Sequence, residues 1–200
     1  MRSSAVRAGV LLLAFLLAGC ARESPEVREV RKAAKDYFNA LRRQDVKQIA
    51  DRSTCLVSAR SLTGTHILSI EPPRRVRAGA VDSLARAESR AQRTADSIWT
   101  RASDVTADSL FQLERKISFR ASVYRCAARA IQLSAPQTIV SSDSLLESRF
   151  VRARFHYSGE AIGHRPVDRE TIVRLLRVPG GRWIVFSVYA KQDDPAPEML

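Results

Sequence analysis

The chain has few of the residues that build metal sites and nucleophilic active sites. Its 200 residues include only three histidines, three cysteines and eight glycines. The histidines (His66, His156 and His164) form no helical pair with an acid and the cysteines stand far apart, which argues against a metal site. No Gly-x-Ser-x-Gly turn marks a serine nucleophile, and Gly180-Gly181 precedes no helix that could hold a phosphate. The sequence therefore predicts no metal, no cofactor and no marked catalytic residue.

Lysine is scarce too, and nearly all of the positive charge comes from arginine. Lysine and arginine number 33 against 21 acidic residues, for a formal net charge of +12, and only five of the 33 are lysine. A bias of the coding sequence or a selection for arginine chemistry would explain this. In the cytosol such an excess would indicate nucleic acid, whereas a cell envelope offers lipid phosphates and acidic glycans. The compartment therefore decides what the charge means.

A hydrophobic run long enough to span a bilayer is also missing from the sequence. The longest run, Ala8–Gly19, has about a dozen residues, whereas a span needs about 20. It follows Arg2 and Arg7 with no acid between them, which is the pattern of a secretory signal. We therefore expect residues 1–19 to be a signal peptide and the chain to be exported, so that nucleic acid is not its partner.

At the end of this run, Leu17-Ala18-Gly19-Cys20 resembles the lipobox of bacterial lipoproteins. The resemblance implies that Cys20 receives a diacylglycerol and that residues 1–19 are removed, which lowers the net charge from +12 to +10. Residues 20–24 would then be a short tether that keeps the domain near the membrane. Because Ala21 stands where Asp would favour retention, the chain resembles lipoproteins sorted to the outer membrane, facing the periplasm, if its host has two membranes. The alternative is an uncleaved anchor with an incidental cysteine.

Lipidation of Cys20 would leave two cysteines, Cys55 and Cys126. Export would take them to a compartment where disulfides persist, so the sequence predicts a bond between them. The alternative is a pair of buried free thiols that act as small hydrophobic side chains.

Two helices are expected at the start of the exported part. Ser24-Pro25-Glu26 has the residue types of a helix start, and an apolar stripe follows at three- and four-residue spacing. The stripe consists of Val27, Val30, Ala34, Tyr37, Phe38 and Leu41. Asp45 with Gln48 predicts a second helix from Val46 to about Arg52, because the two side chains can cap its first turn.

The middle of the chain is predicted to be mostly helical. A strand near Thr65–Ile70 ends at Pro72-Pro73, and a long helix follows from about Val76 to Ser103. Its predicted stripe, with Glu88 at one seam position, is Val81, Leu84, Ala91, Ala95, Ile98, Ala102 and Val105. A second helix starts within Asp104–Asp108 and ends before Pro136.

After Pro136 the pattern changes to that of strands. Thr138–Val140 is rich in residues that favour strands, and Arg149–Tyr157 alternates between an apolar and a polar face. Two further strands, Thr171–Val178 and Arg182–Ala190, are joined by a glycine-containing turn. Residues 191–200 contain two prolines and no periodicity, so we expect a frayed tail.

This order of elements predicts an α+β fold over a single domain, 25–190, with a long helical insertion at about 74–135. It resembles the NTF2-like superfamily in the first helix with Tyr37–Leu41 and in the final hairpin around Gly180–Trp183. The resemblance implies a curved antiparallel sheet that wraps a helix into a cone with a pocket. The alternative is a helical domain followed by a small antiparallel sheet without a cone.

The resemblance also implies candidates for chemistry, because members of that superfamily include isomerases and dehydratases that transfer protons in the pocket. The side chains that could do so here are Asp36, Tyr37, His156 and Tyr157. Tyr37 belongs to the apolar stripe and is equally explained by packing.

One strand also carries a row of cationic side chains. Arg152, Arg154 and His156 occupy alternate positions, which places them on one face of a sheet, with Arg174 on a neighbouring strand. This stripe is a possible anion-binding site, and a solvated outer face is the alternative. We therefore expect a non-catalytic envelope domain that binds a ligand, an anionic envelope component or a partner protein. The alternative is an NTF2-like pocket enzyme with proton-transfer chemistry.

Overall fold

The computed structural model describes residues 23–55, 61–99, 107–159 and 165–190. Within them it has four helices and five strands. In chain order these are α1 (Pro25–Arg43), α2 (Val46–Arg52), β1 (Leu62–Ile70), β2 (Arg74–Arg77), α3 (Ala78–Trp99), α4 (Ala107–Ser134), β3 (Leu145–Tyr157), β4 (Val167–Arg177) and β5 (Ile184–Ala190). The expected signal peptide, Cys20, His164 and the expected tail lie outside the described residues. No helix in the described part is both long and apolar enough to cross a membrane.

The first two helices begin where their capping residues predict. The Ser24 hydroxyl accepts a hydrogen bond from the Val27 amide at 3.3 Å, and Pro25 occupies the first turn of α1. The Asp45 carboxylate accepts from the backbone and side-chain amides of Gln48 at 3.0 and 2.7 Å, which caps α2 at the predicted residue. The bond is not reciprocal as in a full capping box, because the Asp45 amide donates to the Ala40 carbonyl instead. Both helix boundaries are therefore confirmed.

The strands form one open antiparallel sheet. Its order is β1-β3-β4-β5, and β2 pairs with the start of β3 on the same side as β1. Pro72 and Pro73 separate β1 from β2, because proline has no amide to donate to the ladder. The mixture of helices with an antiparallel sheet confirms the α+β class.

The side chains of β3 alternate between two faces of this sheet, as predicted. Val151, Ala153 and Phe155 are buried against α1, and the Phe38 and Phe155 rings meet edge-on with centroids 5.1 Å apart. We call this side the α1 face. Its buried residues are Val30, Ala34, Tyr37, Phe38, Leu41, Leu62, Val151, Ala153, Phe155, Val173, Leu175, Trp183 and Val185.

The opposite side of the sheet carries the α3–α4 hairpin, so we call it the hairpin face. Leu146, Leu176, Ile184 and Phe186 are buried there. They pack with a set of helix residues that includes Val81, Ala85, Val123, Tyr124, Ala127 and Ile131. The predicted helical insertion thus covers one face of the sheet.

The predicted stripe of α3 is confirmed at Val81 and at the seam position Glu88, which are both buried. It is wrong at Leu84, which is 38% exposed while Ala85 is buried in its place, and at Ala91, which is exposed. Ala95 is half-buried. The predicted positions at the side chain of Ile98 and at Ala102 and Val105 lie outside the described part. Polar side chains continue the seam because α4 supplies their partners: Glu88 pairs with Arg120, and Gln92 accepts from Arg125 at 3.0 Å.

The strand bounds also differ from the prediction. β2 lies where the start of the long helix was expected, residues 138–140 are in no strand, and β3 begins four residues earlier than Arg149. The β4–β5 turn is confirmed, with Gly180 at a φ of 73°. A Cβ on Gly181 would lie 2.6 Å from the Ser134 hydroxyl, so glycine lets this turn approach the end of α4.

Candidate functional site

A groove of about 810 Å³ lies between the two helices of the hairpin. The helices run antiparallel, because Glu88 meets Arg120 while Gln92 meets Ser118. One wall comes from α3 and the other from α4, and small residues lie between the arginines. The lining residues are Asp82, Ala85, Arg86, Ser89, Arg90, Arg93, Ser122, Arg125, Cys126, Ala128 and Arg129.

Helical spacing explains why the arginines face one groove. Arg86, Arg90 and Arg93 follow one another at four and three residues on α3, and Arg125 and Arg129 are four apart on α4. Residues three and four apart lie on the same side of a helix. All five side chains are exposed, so water and solutes reach their guanidinium groups.

Among the described residues, acidic side chains do not balance the charge of this groove. Its lining holds five arginines and one carboxylate, Asp82. Across the described residues no ion pair involves any of these arginines, and the partners of two of them are neutral. Arg125 donates to the Gln92 carbonyl at 3.0 Å, and Arg86 lies 3.4 Å from the Ser83 hydroxyl. Guanidinium groups without carboxylate partners can bind phosphate or carboxylate groups with paired hydrogen bonds.

The α4 wall of the groove also holds a thiol. Cys126 lies beside Cys55, which follows α2, and the Thr54 hydroxyl donates to the Cys126 carbonyl at 2.8 Å. The neighbouring Cys55 thiol and, more weakly, Arg129 lower the pKa of Cys126, against the effect of burial. Cys126 and burial raise the pKa of Cys55. The structure has both thiols free, and it brings together the two cysteines that the sequence paired.

The predicted cationic stripe also lies on one face, but two of its members contact acids. Arg152 hydrogen-bonds to Glu170, and the His156 ring contacts Asp168. Arg154 is exposed, and Glu170 stands opposite it on β4. The face therefore carries both signs of charge. The anion-binding role of this stripe stays a prediction.

Arg174 occupies a different setting on the same sheet face. It stands opposite Phe150 in the β3–β4 register and is only 2% exposed. Its guanidinium lies 4.7 Å from the Phe150 ring centroid and 5.0 Å from that of Tyr189, whose hydroxyl accepts from its Nε at 3.0 Å. Arg174 is thus part of the packed interior.

The candidates for proton transfer are not brought together. Tyr37 and Tyr157 lie on the α1 face, where burial raises the pKa of each hydroxyl. His156 alternates to the opposite face of the same strand, and Asp36 lines a separate surface cleft beside Arg52. The Tyr37 hydroxyl faces Ser53 without a well-formed hydrogen bond. No common pocket joins these four side chains within the described residues.

The described residues contain no group of His, Cys, Asp or Glu side chains able to hold a metal ion. Comparison with known proteins adds no candidate ligand, because no family model, curated protein or solved structure matches the chain. The arginine groove was missed at the level of sequence. The four- and three-residue spacing of Arg86, Arg90 and Arg93 was the available signal.

Proposed function

We propose that the protein is a lipid-anchored protein of the cell envelope whose domain binds an anionic ligand in the arginine groove without catalysis. The observation that carries this proposal is a groove with five arginines, one acid and no ion pair among the described residues. The lipobox-like Leu17–Cys20 supports the anchor, and Ala21 in place of an Asp supports sorting to the outer membrane, facing the periplasm, if the host has two membranes.

The ligand should carry at least two phosphate or carboxylate groups. The arginines stand on both walls, so a ligand with separated anionic groups can contact α3 and α4 at once. Planar guanidinium groups favour such oxyanions through bidentate hydrogen bonds. Because all five arginines are exposed, binding should weaken steeply as salt rises. Acidic glycans and lipid headgroups both offer this chemistry in an envelope.

Titration with inorganic tripolyphosphate tests the site directly. The full chain in detergent is compared with a groove variant, Arg90→Ala/Arg125→Ala/Arg129→Ala, by isothermal titration calorimetry. The matched control, Arg75→Ala/Arg77→Ala/Arg154→Ala, removes the same charge from exposed positions of the sheet. We expect the groove variant to lose about tenfold or more in affinity, since each charge-assisted hydrogen bond contributes about 1 kcal/mol or more. Equal losses in both variants would contradict the proposal.

A second arm separates the two sources of the ligand. Vesicles with anionic lipid are added to the chain after tripolyphosphate has bound. Displacement of tripolyphosphate by the vesicles would assign lipid headgroups, and bound tripolyphosphate that the vesicles do not displace would assign a free or glycan-borne ligand. The anchor has its own test, because Cys20→Ser should leave an unprocessed, unacylated precursor. A variant that is cleaved and membrane-bound like the parent would contradict the anchor.

The NTF2-like cone is kept as a proposal about the shape of the fold. It is supported by α1, which packs along one side of a sheet that ends in a Trp183-bearing hairpin. The corresponding enzyme is not favoured, because Tyr37 and His156 lie on opposite faces of the sheet.

A further inference from the structure

The Cys55–Cys126 pair joins two parts of the chain that lie far apart in sequence. Cys55 ends the short segment Ser53–Cys55, which runs beside β5: the Thr54 amide donates to the Val185 carbonyl at 3.0 Å, and the Cys55 thiol contacts the Phe186 carbonyl. Cys126 lies in the middle of α4. The pair therefore sits where α4, β5 and the segment after α2 meet.

The backbone around the two thiols is already held in place. The Thr54 hydroxyl donates to the Cys126 carbonyl at 2.8 Å, and the Cys126 thiol approaches the Thr54 carbonyl at 3.5 Å. The two thiols lie side by side within interaction distance. A disulfide requires such a close approach of two side chains.

We infer that Cys55 and Cys126 form an intramolecular disulfide that fastens the segment Ser53–Cys55 to α4. This inference goes beyond the proposed anion binding and does not rest on it. The bond closes a loop of 71 positions that contains β1, β2 and α3. Closing a loop of that length restricts the unfolded chain strongly.

The reaction needs an oxidised thiol carrier, such as glutathione disulfide or a dithiol oxidase of the envelope. The Cys126 thiolate attacks the carrier disulfide, which forms a mixed disulfide and releases one carrier thiolate. That thiolate takes the proton of Cys55, and the Cys55 sulfur then attacks the Cys126 sulfur and expels the second carrier thiolate. Two thiols are oxidised and one carrier disulfide is reduced. Cys126 attacks first because it lines the open groove, where the neighbouring Cys55 thiol and, more weakly, Arg129 favour its thiolate.

The test uses the full chain, first reduced and then incubated with glutathione disulfide. After unfolding without reductant, the peptides of Cys55 and Cys126 are expected to be closed to a thiol label and to be about 2 Da lighter as a linked pair. Adding reductant should open both to the label. Full labelling of both cysteines before reduction, or a linkage between two chains, would overturn the inference. Cys20 is scored on its own peptide and does not affect the count.

Thermal unfolding provides a second readout. Reductant should lower the Tm of the oxidised chain by about 5–10 °C, because the loop constraint is lost. The same reductant should leave the Tm of Cys55→Ser/Cys126→Ser unchanged. The order of attack is checked with the single variants: Cys126 in Cys55→Ser should form the mixed disulfide about tenfold faster than Cys55 in Cys126→Ser. Equal rates would overturn the assigned order.

Discussion

The buried or ion-paired arginines of the sheet and the five arginines of the hairpin groove lie in opposite electrostatic settings. On the sheet, Arg149 is 4% exposed and reaches two acids, Glu147 and Glu26, each at 3.2 Å. Arg177 likewise pairs with Glu147 and Glu29, and it lies over the Trp183 ring. In the hairpin groove, five arginines share one acid and make no ion pair within the described residues.

This difference separates arginines that hold the fold from arginines available to a ligand. A buried guanidinium must have its charge and its donors satisfied inside the protein, since desolvation is costly. An exposed guanidinium keeps its hydration and can exchange water for an anion. The total charge of the chain, +12, does not distinguish the two groups of arginines. The presence or absence of acidic partners distinguishes them.

Removal of Arg149 should give the largest loss of stability. Arg149→Ala deletes a nearly buried cation that bridges β3 to Glu26 of α1 and donates to the Glu71 carbonyl. We expect a loss of about 2–4 kcal/mol in the free energy of unfolding, measured by urea titration. The control on the same strand is Arg154→Ala, which is exposed and should change stability little. A loss of less than about 0.5 kcal/mol for Arg149→Ala would contradict the distinction between arginines that stabilise the fold and arginines available to a ligand.

Removal of Glu88 should have an intermediate effect. Its carboxylate lies in the α3–α4 seam, 9% exposed, and pairs with Arg120. Glu88→Ala leaves that arginine without its acid, and we expect a loss of about 1–2 kcal/mol by the same titration. Asp143→Ala, at an exposed turn, provides the reference. An unchanged midpoint in Glu88→Ala would show that the seam is held by its apolar residues alone.

The stripe on β3 should contribute little, both to stability and to binding. Arg152 and Glu170 are each about one-third exposed, so water screens their ion pair, and Arg152→Ala should cost about 1 kcal/mol or less. Arg152→Ala/Arg154→Ala should also bind anionic vesicles nearly as well as the parent in a sedimentation assay at low salt. A steep loss of vesicle binding in this double variant would show that the anion site lies on the sheet and not in the groove.

The groove variant should show the smallest effect on stability, and of opposite sign. Arg86 and Arg90, and likewise Arg125 and Arg129, are like charges four residues apart, a spacing that destabilises a helix. Arg90→Ala/Arg125→Ala/Arg129→Ala should therefore raise the free energy of unfolding by about 0.5 kcal/mol at low salt. At a salt concentration of about 0.5 M, screening of the charges should abolish this gain in stability. A gain that persists at high salt would instead point to helix propensity.

The sequence predicts much of this fold because several of its signals are local. The caps at Ser24 and Asp45 define the first two helices, and the alternation from Val151 to Phe155 defines the face that α1 covers. Such patterns depend on neighbours a few residues away. The position of β2 does not follow from such local patterns, because Arg74–Arg77 is ordered by pairing with a strand about 70 residues later.

The candidate site was hidden for the same reason. The Arg86 and Arg125 walls meet only through the packing of α3 on α4, where Glu88 pairs with Arg120 and Gln92 accepts from Arg125. The predicted stripe included Glu88 but not Gln92. The partners of Arg152 and His156 are likewise set by the pairing of β3 with β4. Sequence spacing shows which side chains share a face. It does not show which of them are neutralised.

Hydrogen exchange with and without tripolyphosphate shows directly whether the anion binds the hairpin groove or the sheet. We expect slower exchange at low salt in the helix segments of the groove, residues 82–93 and 122–129, and no change along β3 at 152–156. Protection along β3 and β4 with an unchanged hairpin would contradict it, and so would the absence of any protection at a saturating anion concentration.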